Sequence, residues 1–506
     1  LHIGGVRTAL FNWLFTRHQG GQFVLRIDDT DQQRNLAEAL TPILNGLRWM
    51  GVNWDEGAEV GGDFGPYYQS QKHDRYGAAV QELLARGLAY YDYGTPEELD
   101  VERKAAEKEK RPFLYSRKWM AETPGQRAHF ESQGRKGVVR LKMPREDSCR
   151  FTDLVRGAMD VQWAREQDHV IQRTDGTCLY HLASVVDDFD MRITHVIRSE
   201  EHLSNTPRQI FIAQGLGYPL PEYAHLPYVA EPGSKNKLSK RKIAQYLKNP
   251  DFKSVYDHGQ AIAAAIGLTT AADTFNPVIV DFYEHVGYLP DAIINYLLLL
   301  GWSLDDKTEL FSQAEMIAHF SLERVNKAPA SFDPKKLDAF QERYMQQVPA
   351  ERKAVLALPF LEKAGLVDTP AGESLGPKLR QIVEAAGERI KVAGDVLDYA
   401  FFFQADDSFP FDEKTFDKRL RKPPEALALL AKLKNTLTAA PSFDAAALEK
   451  LIQDFVQQEG IQLGQIIHAL RVAVTGKAIG FGLYETLAIL GRTACAARID
   501  LALARL

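Results

Sequence analysis

Leu1-His2-Ile3-Gly4-Gly5 opens the chain and runs directly into Val6-Arg7-Thr8-Ala9-Leu10-Phe11-Asn12-Trp13-Leu14. Val6, Ala9, Leu10, Trp13 and Leu14 recur at helical spacing, which marks one face of an amphipathic helix. Gly4 and Gly5 stand at its entrance and put no side chain between the first backbone N–H groups and an approaching ligand. The N-terminus of a helix attracts phosphate through such donors. His2, just ahead of the turn, can add a side-chain donor. Taken alone, the same residues read as a glycine turn in front of a core helix.

After this helix, Gly20-Gly21 makes a turn, and Gln22 to Ile27 alternates as a strand with Phe23, Leu25 and Ile27 on one face. The strand ends in Asp28-Asp29-Thr30-Asp31, and a helical pattern begins near Leu36. Helix, strand and helix in this order open a doubly wound α/β sheet, in which ligands gather at the carboxyl ends of strands. Asp28 stands at such an end. Its bland role would be to cap the next helix, a task that Thr30 or Asp31 serves as well.

A second stretch lies far along the chain. Lys235-Asn236-Lys237-Leu238-Ser239-Lys240-Arg241-Lys242 carries five cations in eight residues and follows Pro232-Gly233, a turn signal. A charge run of this kind is usually just solvated. Together, His2-Ile3-Gly4-Gly5 and Lys237-Leu238-Ser239-Lys240-Arg241 resemble the paired signatures of class I aminoacyl-tRNA synthetases. Leu25-Arg26-Ile27-Asp28-Asp29-Thr30-Asp31 is similar to the Arg-Ile-Glu-Asp-Thr-Asp run of the glutamyl-tRNA synthetases. Leu179 to Asp188 and Ile197-Arg198-Ser199-Glu200-Glu201 resemble that family's Tyr-His-Leu-Ala-Asn-Val-Val-Asp-Asp and Ile-Arg-x-Glu segments.

The resemblance implies a bacterial-type glutamate–tRNA ligase. It would activate glutamate with ATP and transfer it to the 3′ end of tRNA(Glu). The implied fold is α/β: a class I Rossmann-like parallel-sheet catalytic domain with an inserted α+β acceptor-binding domain, then an all-helical anticodon-binding region. The corresponding segments are 1–85 and 179–225 for the two catalytic halves and 86–178 for the insertion. Residues 226–331 form a stem-contact region with the basic loop and an extra stretch near 243–277, and 332–506 the helical region. Within the extra stretch, Ala261 to Leu268 reads as a small helix.

The resemblance also implies the site. His2, Lys237 and Lys240 are the expected catalytic groups. His2, Gly4, Gly5, Glu201, Lys237, Ser239 and Lys240 are expected on ATP, and Asp28, Tyr180, Ser184 and Arg198 on L-glutamate. A planar guanidinium forks onto a carboxylate through two charge-assisted bonds, which suits Arg198 to the substrate's side chain. The structural alternative pairs Arg198 with Glu200 or Glu201. Magnesium is expected to come with ATP. Some family members hold zinc through a Cys-x-Cys pair, but Tyr91-Asp92-Tyr93 stands at that place here, so no zinc is expected. The family's preceding strand, Arg-Phe-Ala-Pro-Ser-Pro-Thr-Gly, is not in a chain that opens on Leu1. A start-truncated chain, poor at activating glutamate, is the expectation.

The totals agree with a globular enzyme: 506 residues, 45% hydrophobic and 25% charged, with a formal net charge of −6. No apolar run spans a bilayer. Cys149, Cys178 and Cys495 are widely spaced and odd in number, which argues for a reducing compartment. A cytoplasmic monomer is expected. The competing reading is a catalytically impaired or non-catalytic tRNA-binding relative.

Overall fold

A computed structural model describes residues 1–30, 36–111, 113–370, 372, 375–423 and 425–505. Asp31, one of the two alternative caps, and Pro424 lie outside the described residues. The chain divides into two compact units, Leu1–Ser239 with Ile294–Phe332 and Lys240–Ile293 with Asp333–Leu506. The segments read from the sequence are grouped differently: the stretch 226–331 contributes to both units, and the basic run is divided between Ser239 and Lys240.

In the first unit, helix α1 spans Ile3–Gln19 and ends on the left-handed Gly20. Its buried face is broader than the apolar pattern showed, because Arg7 is 1% exposed among Ile3, Val6, Leu10 and Phe11. The Arg7 guanidinium donates to the carbonyls of Leu300 and Pro227 and stacks over the Phe11 ring at 5.2 Å. Burial lowers its pKa to about 10, so it still holds its charge at neutral pH.

The strands in chain order are β1 (Val24–Leu25), β2 (Glu56–Gly57), β3 (Ala89–Asp92), β4 (Met120–Ala121), β5 (Val138–Leu141), β6 (Ser148–Asp153), β7 (Gly157–Gln162), β8 (Val170–Gln172), β9 (His195–Ser199), β10 (Glu222–Leu226), β11 (Val229–Ala230) and β12 (Ala330–Ser331). The strand read over Gln22–Ile27 is ladder-paired only at β1, which runs parallel to β2, and Ile27 bridges to Tyr68. Gly57 permits the β1–β2 approach: it has φ of 134°, and a Cβ there would lie 2.2 Å from the Leu25 carbonyl oxygen.

Four strands from the stretch 86–178 form an antiparallel sheet in the order β4-β3-β5-β8. The hairpin β6–β7, from the same stretch, joins a different sheet, in the order β7-β6-β10-β9. There β10 runs parallel to both β9 and β6. The end of β6 at Asp153 therefore pairs with Tyr223 of β10, which brings a residue of the insertion into the catalytic half. Helix α2 (Tyr180–Asp190) packs its Leu182, Ala183, Val185 and Val186 into the core beside this sheet.

The second unit is helical. The extra stretch holds a helix over Pro250–Ala265, longer than the Ala261–Leu268 read from the sequence. Asn249 caps it and Pro250 sits at its first position, where no amide hydrogen is needed. It packs against the helices Val280–Val286 and Pro334–Gln347. Gly259 is the contact point, since a Cβ there would meet the Phe282 ring at 2.4 Å. Farther on, Ala426–Thr438, Ala445–Glu459, Leu463–Thr475 and Arg492–Ala504 surround a core that includes Leu430, Leu433, Ile452, Phe455, Leu470 and Ile499.

Candidate active site

A cavity of about 850 Å³ opens in the first unit between α1, β1, α2 and β9. Each wall presents one stripe of its element. On α1 the stripe is Gly5, Thr8, Asn12 and Thr16, opposite the buried apolar face. On α2 it is Tyr180, Ser184 and Asp188, spaced by four so that they stack on one side. Arg26 and Asp28 follow β1, and Arg198 comes from β9. Asn12 closes the corner by donating to the Ile197 carbonyl at 2.9 Å. The cavity thus gathers Gly5, Asp28, Tyr180, Ser184 and Arg198 from the expected site.

Arg198 is bonded to neither Glu200 nor Glu201. Glu200 accepts from the Arg156 guanidinium and from the Tyr228 N–H at 3.1 Å, while Glu201 accepts from Lys237. Arg198 instead donates through Nε to His225 at 3.1 Å and through Nη2 to Thr206 at 2.9 Å. Burial lowers its pKa, with Tyr180 and Tyr223 opposing. The Ser184 hydroxyl is buried on the cavity wall and has no hydrogen-bond partner among the described residues.

Asp28 is exposed but not isolated. Its carboxylate accepts from Arg26 Nε at 2.7 Å, and the same guanidinium reaches Asp188 at 2.6 Å and Asp187 at 3.6 Å. Desolvation works against the Arg26 charge, yet Asp188 and Asp28 outweigh it and hold the guanidinium well above its usual range. Burial pushes the Asp188 carboxyl up, with Arg26 opposing. Lys72 and Arg75 continue the network through Asp187 and Asp190. Of this network only Arg26, Asp28 and Asp188 line the cavity, together with Arg192, and the two carboxylates are the groups there that suit an ammonium ligand.

The entrance of α1 differs from the bare helix end that the glycines suggested. His2 Nδ1 accepts the Gly4 N–H at 3.0 Å, and the His2 carbonyl accepts the Gly5 N–H at 2.9 Å. A Cβ on Gly4 would come within 3.3 Å of that Nδ1, so the glycine makes room for the imidazole cap. With Nδ1 accepting, the neutral ring carries its proton on Nε2, and that nitrogen becomes the donor. In the basic run, the backbone folds back on itself: Leu238 N–H donates to the Val229 carbonyl at 2.8 Å, and Glu231 N–H to Asn236 at 2.7 Å. Lys237 is paired with Glu201 across this turn, which joins two residues expected on ATP. Ser239 ends the first unit's share of the run, and Lys240 starts a short 3-10 helix in the second unit.

Residues 1–276 and 273–339 match the family of class I tRNA synthetases (E and Q), catalytic domain, and residues 352–503 match the anticodon binding domain. The glutamate–tRNA ligase of Moorella thermoacetica is 40% identical over 500 residues, covering 99% of this chain and 95% of that protein. That of Desulforudis audaxviator is 37% identical, covering 100% of this chain and 94% of its own. The crystal structure of a glutamate tRNA ligase from Elizabethkingia meningosepticum, in complex with its amino acid, superposes with a TM-score of 0.82 at 31% identity. It is matched over 97% of its length by 100% of this chain.

The chain belongs to the class I tRNA synthetases. In this synthetase the catalytic domain is built on a parallel sheet and the C-terminal part is helical. Tyr91 and Tyr93, at the place where some synthetases carry thiolates, lie in and just after β3, and Arg127 stacks over Tyr91 at 3.6 Å. Among the described residues, no group of three or more His, Cys, Asp or Glu side chains is arranged to hold a metal ion. Several polar groups of the synthetase site escaped the sequence reading, among them Asn12 and Thr8 on α1, Arg26 and Asp188 beside Asp28, and His225 behind Arg198. The helical period of Gly5, Thr8, Asn12 and Thr16 carried a signal for the first two. His225 carried none, because only strand pairing brings it to Arg198.

Proposed function

We infer that the chain is a glutamate–tRNA ligase that activates glutamate with ATP and transfers the glutamyl group to tRNA(Glu). The observation that carries the reading is the cavity of the first unit, whose lining brings together the half-buried guanidinium of Arg198 and the carboxylates of Asp28 and Asp188. An α-amino acid with an acidic side chain has the complementary pattern. Its side-chain carboxylate would pair with Arg198, with Tyr180 and the Ser184 hydroxyl beside it, and its ammonium with Asp28 and Asp188.

In the first step the substrate's α-carboxylate attacks the α-phosphorus of ATP and pyrophosphate leaves. No covalent enzyme intermediate is needed. Negative charge grows on the phosphate oxygens, so fixed donors and cations must meet it there. His2 Nε2–H, Ser239, Lys237 and Lys240 are the groups assigned to that task, and Gly4 and Gly5, whose N–H groups are taken by His2, would leave the nucleotide room beside them. Glu201 would release Lys237 to the nucleotide. Magnesium would arrive with ATP, bound by phosphate oxygens and water. In the second step the terminal ribose hydroxyl of tRNA attacks the adenylate, and AMP leaves. We read the protein as a cytoplasmic monomer. The three cysteines are buried thiols, pushed up to about 11, 11 and 12 by burial, which suits a reducing compartment.

The test is aminoacylation of purified tRNA(Glu) with labelled amino acid and ATP. Charging with glutamate and not with glutamine is expected. A protein that charges glutamine as readily as glutamate would overturn the reading.

A further inference from the structure

Arg198 is held by His225 and Thr206, which do not line the cavity. Its Nε lies 3.1 Å from Nε2 of His225, the residue opposite it in the β9–β10 ladder. His225 is fully buried, and its Nδ1 lies 2.6 Å from Oδ2 of Asp153, the last residue of β6. A guanidinium has only donors, so His225 must offer a lone pair at Nε2. Its proton is therefore on Nδ1 and is given to the carboxylate. Asp153 is fixed in turn. Its Oδ1 accepts the N–H groups of Val155 at 3.0 Å and Arg156 at 2.8 Å, and the His225 N–H lies 3.2 Å from Oδ1 and 3.1 Å from Oδ2. Thr206 completes the cradle by accepting from Arg198 Nη2.

We propose that Asp153 and His225 are positioning residues for amino-acid selection: Asp153 sets the His225 tautomer, and His225 Nε2 locks one edge of Arg198 so that its remaining N–H groups face the substrate's side-chain carboxylate. This rests on the reading that Arg198 receives that carboxylate. It deepens that reading, because it assigns the orientation of the guanidinium to a residue of the β6–β7 hairpin, which the sequence places in the acceptor-binding insertion. A guanidinium free to rotate would still carry its charge. It would lose the fixed fork that distinguishes a carboxylate from an amide.

The chemistry of the amide analogues makes the idea testable. In Asp153→Asn, Oδ1 keeps its backbone N–H partners, so the turn at Val155 and Arg156 is preserved. The new amide NH2 faces Nδ1, drives the proton to Nε2 and sets a donor against Arg198 Nε–H. His225→Gln places an acceptor near the old Nε2, whereas His225→Asn keeps only a donor near the old Nδ1. Aminoacylation kinetics of these variants and of Arg198→Gln, with thermal melting of each, decide the matter. We expect the glutamate KM to rise on the order of tenfold or more in Asp153→Asn and His225→Asn, and much less in His225→Gln, with the ATP KM nearly constant. If Asp153→Asn does not fold, the contrast between the two His225 variants decides alone. A purely structural role predicts the reverse order, since His225→Asn keeps the bond to Asp153: lower melting in His225→Gln and an unchanged glutamate KM in all three. That result would overturn the proposal while Arg198→Gln still lost glutamate. If Arg198→Gln left glutamate use unchanged, the reading of Arg198 itself would fall, and the proposal with it.

Discussion

The Ser184 hydroxyl shows how the site can be read residue by residue. It is 3% exposed, lines the cavity and lacks a partner among the described residues. A buried unsatisfied hydroxyl costs stability unless a ligand satisfies it. Ser184→Ala should therefore leave the melting temperature unchanged or slightly raised, and should raise the glutamate KM by roughly threefold to tenfold. A clear loss of stability with an unaltered KM would remove Ser184 from the site. At this scale the sequence was informative wherever a motif carried the residue. Tyr180, Ser184 and Arg198 all line the cavity. It was silent where pairing is non-local: Asp153 and His225 are separated by 72 positions, and only the parallel ladder of β6 with β10 unites them. It misread the α1 entrance because bare glycines suggest open donors, whereas His2 turns inward and caps Gly4.

Among the elements, the helix Pro250–Ala265 gives the extra stretch a role inside the second unit. Its His258 donates from Nε2 to the Asp395 carboxylate at 2.7 Å, at the start of the 3-10 segment Ala393–Phe402. The bond to Asp395 raises the His258 pKa, against a smaller desolvation effect. A folded-state pKa above the unfolded value means stability that is fully present below the unfolded histidine range, about 6.5, and lost as pH rises through the folded value. The gap in melting temperature between the wild type and His258→Gln should be widest near pH 5 to 6 and should narrow toward pH 9. A gap constant across that interval would show that the contact is not charge-dependent. The sequence read this stretch as an addition to the family pattern and placed a helix in part of it; the helix is there, but the catalytic-domain match runs through the stretch to residue 276. It could not reveal the seat, because Gly259 against Phe282 is a fit of surfaces that periodicity does not encode. The seat of the β6–β7 hairpin was similarly hidden: nothing local told which sheet it joins.

For the whole molecule, the two signatures that frame the chain fall to different fates. His2 and Lys237 belong to the first unit, and Lys240 opens the second. If Lys240 meets the charge that develops on the leaving pyrophosphate, Lys240→Ala should slow adenylate formation by about a hundredfold or more with tRNA present. The affinity for tRNA should change little. Single-turnover pyrophosphate release at saturating ATP measures the first quantity and filter binding the second, and an unaltered rate would exclude Lys240 from the reaction. The architecture was legible in outline, since a helix, a strand and an acidic turn announce an α/β sheet and the resemblance implied a helical end. The grouping into units was not, because it depends on contacts between segments hundreds of residues apart.

The central claim is that a carboxylate-reading guanidinium, Arg198, selects the amino acid. Glutamate and glutamine are nearly isosteric, so charge and hydrogen-bond polarity must separate them, and a site built on donors can reject the amide by on the order of ten-thousandfold. The direct measurement is the ratio of kcat/KM for glutamate to that for glutamine, in tRNA(Glu) aminoacylation by the wild type and by Arg198→Gln. The account predicts a large ratio in the wild type that falls by about two orders of magnitude or more in the variant, driven by the loss of glutamate. A variant that keeps the wild-type ratio would contradict it.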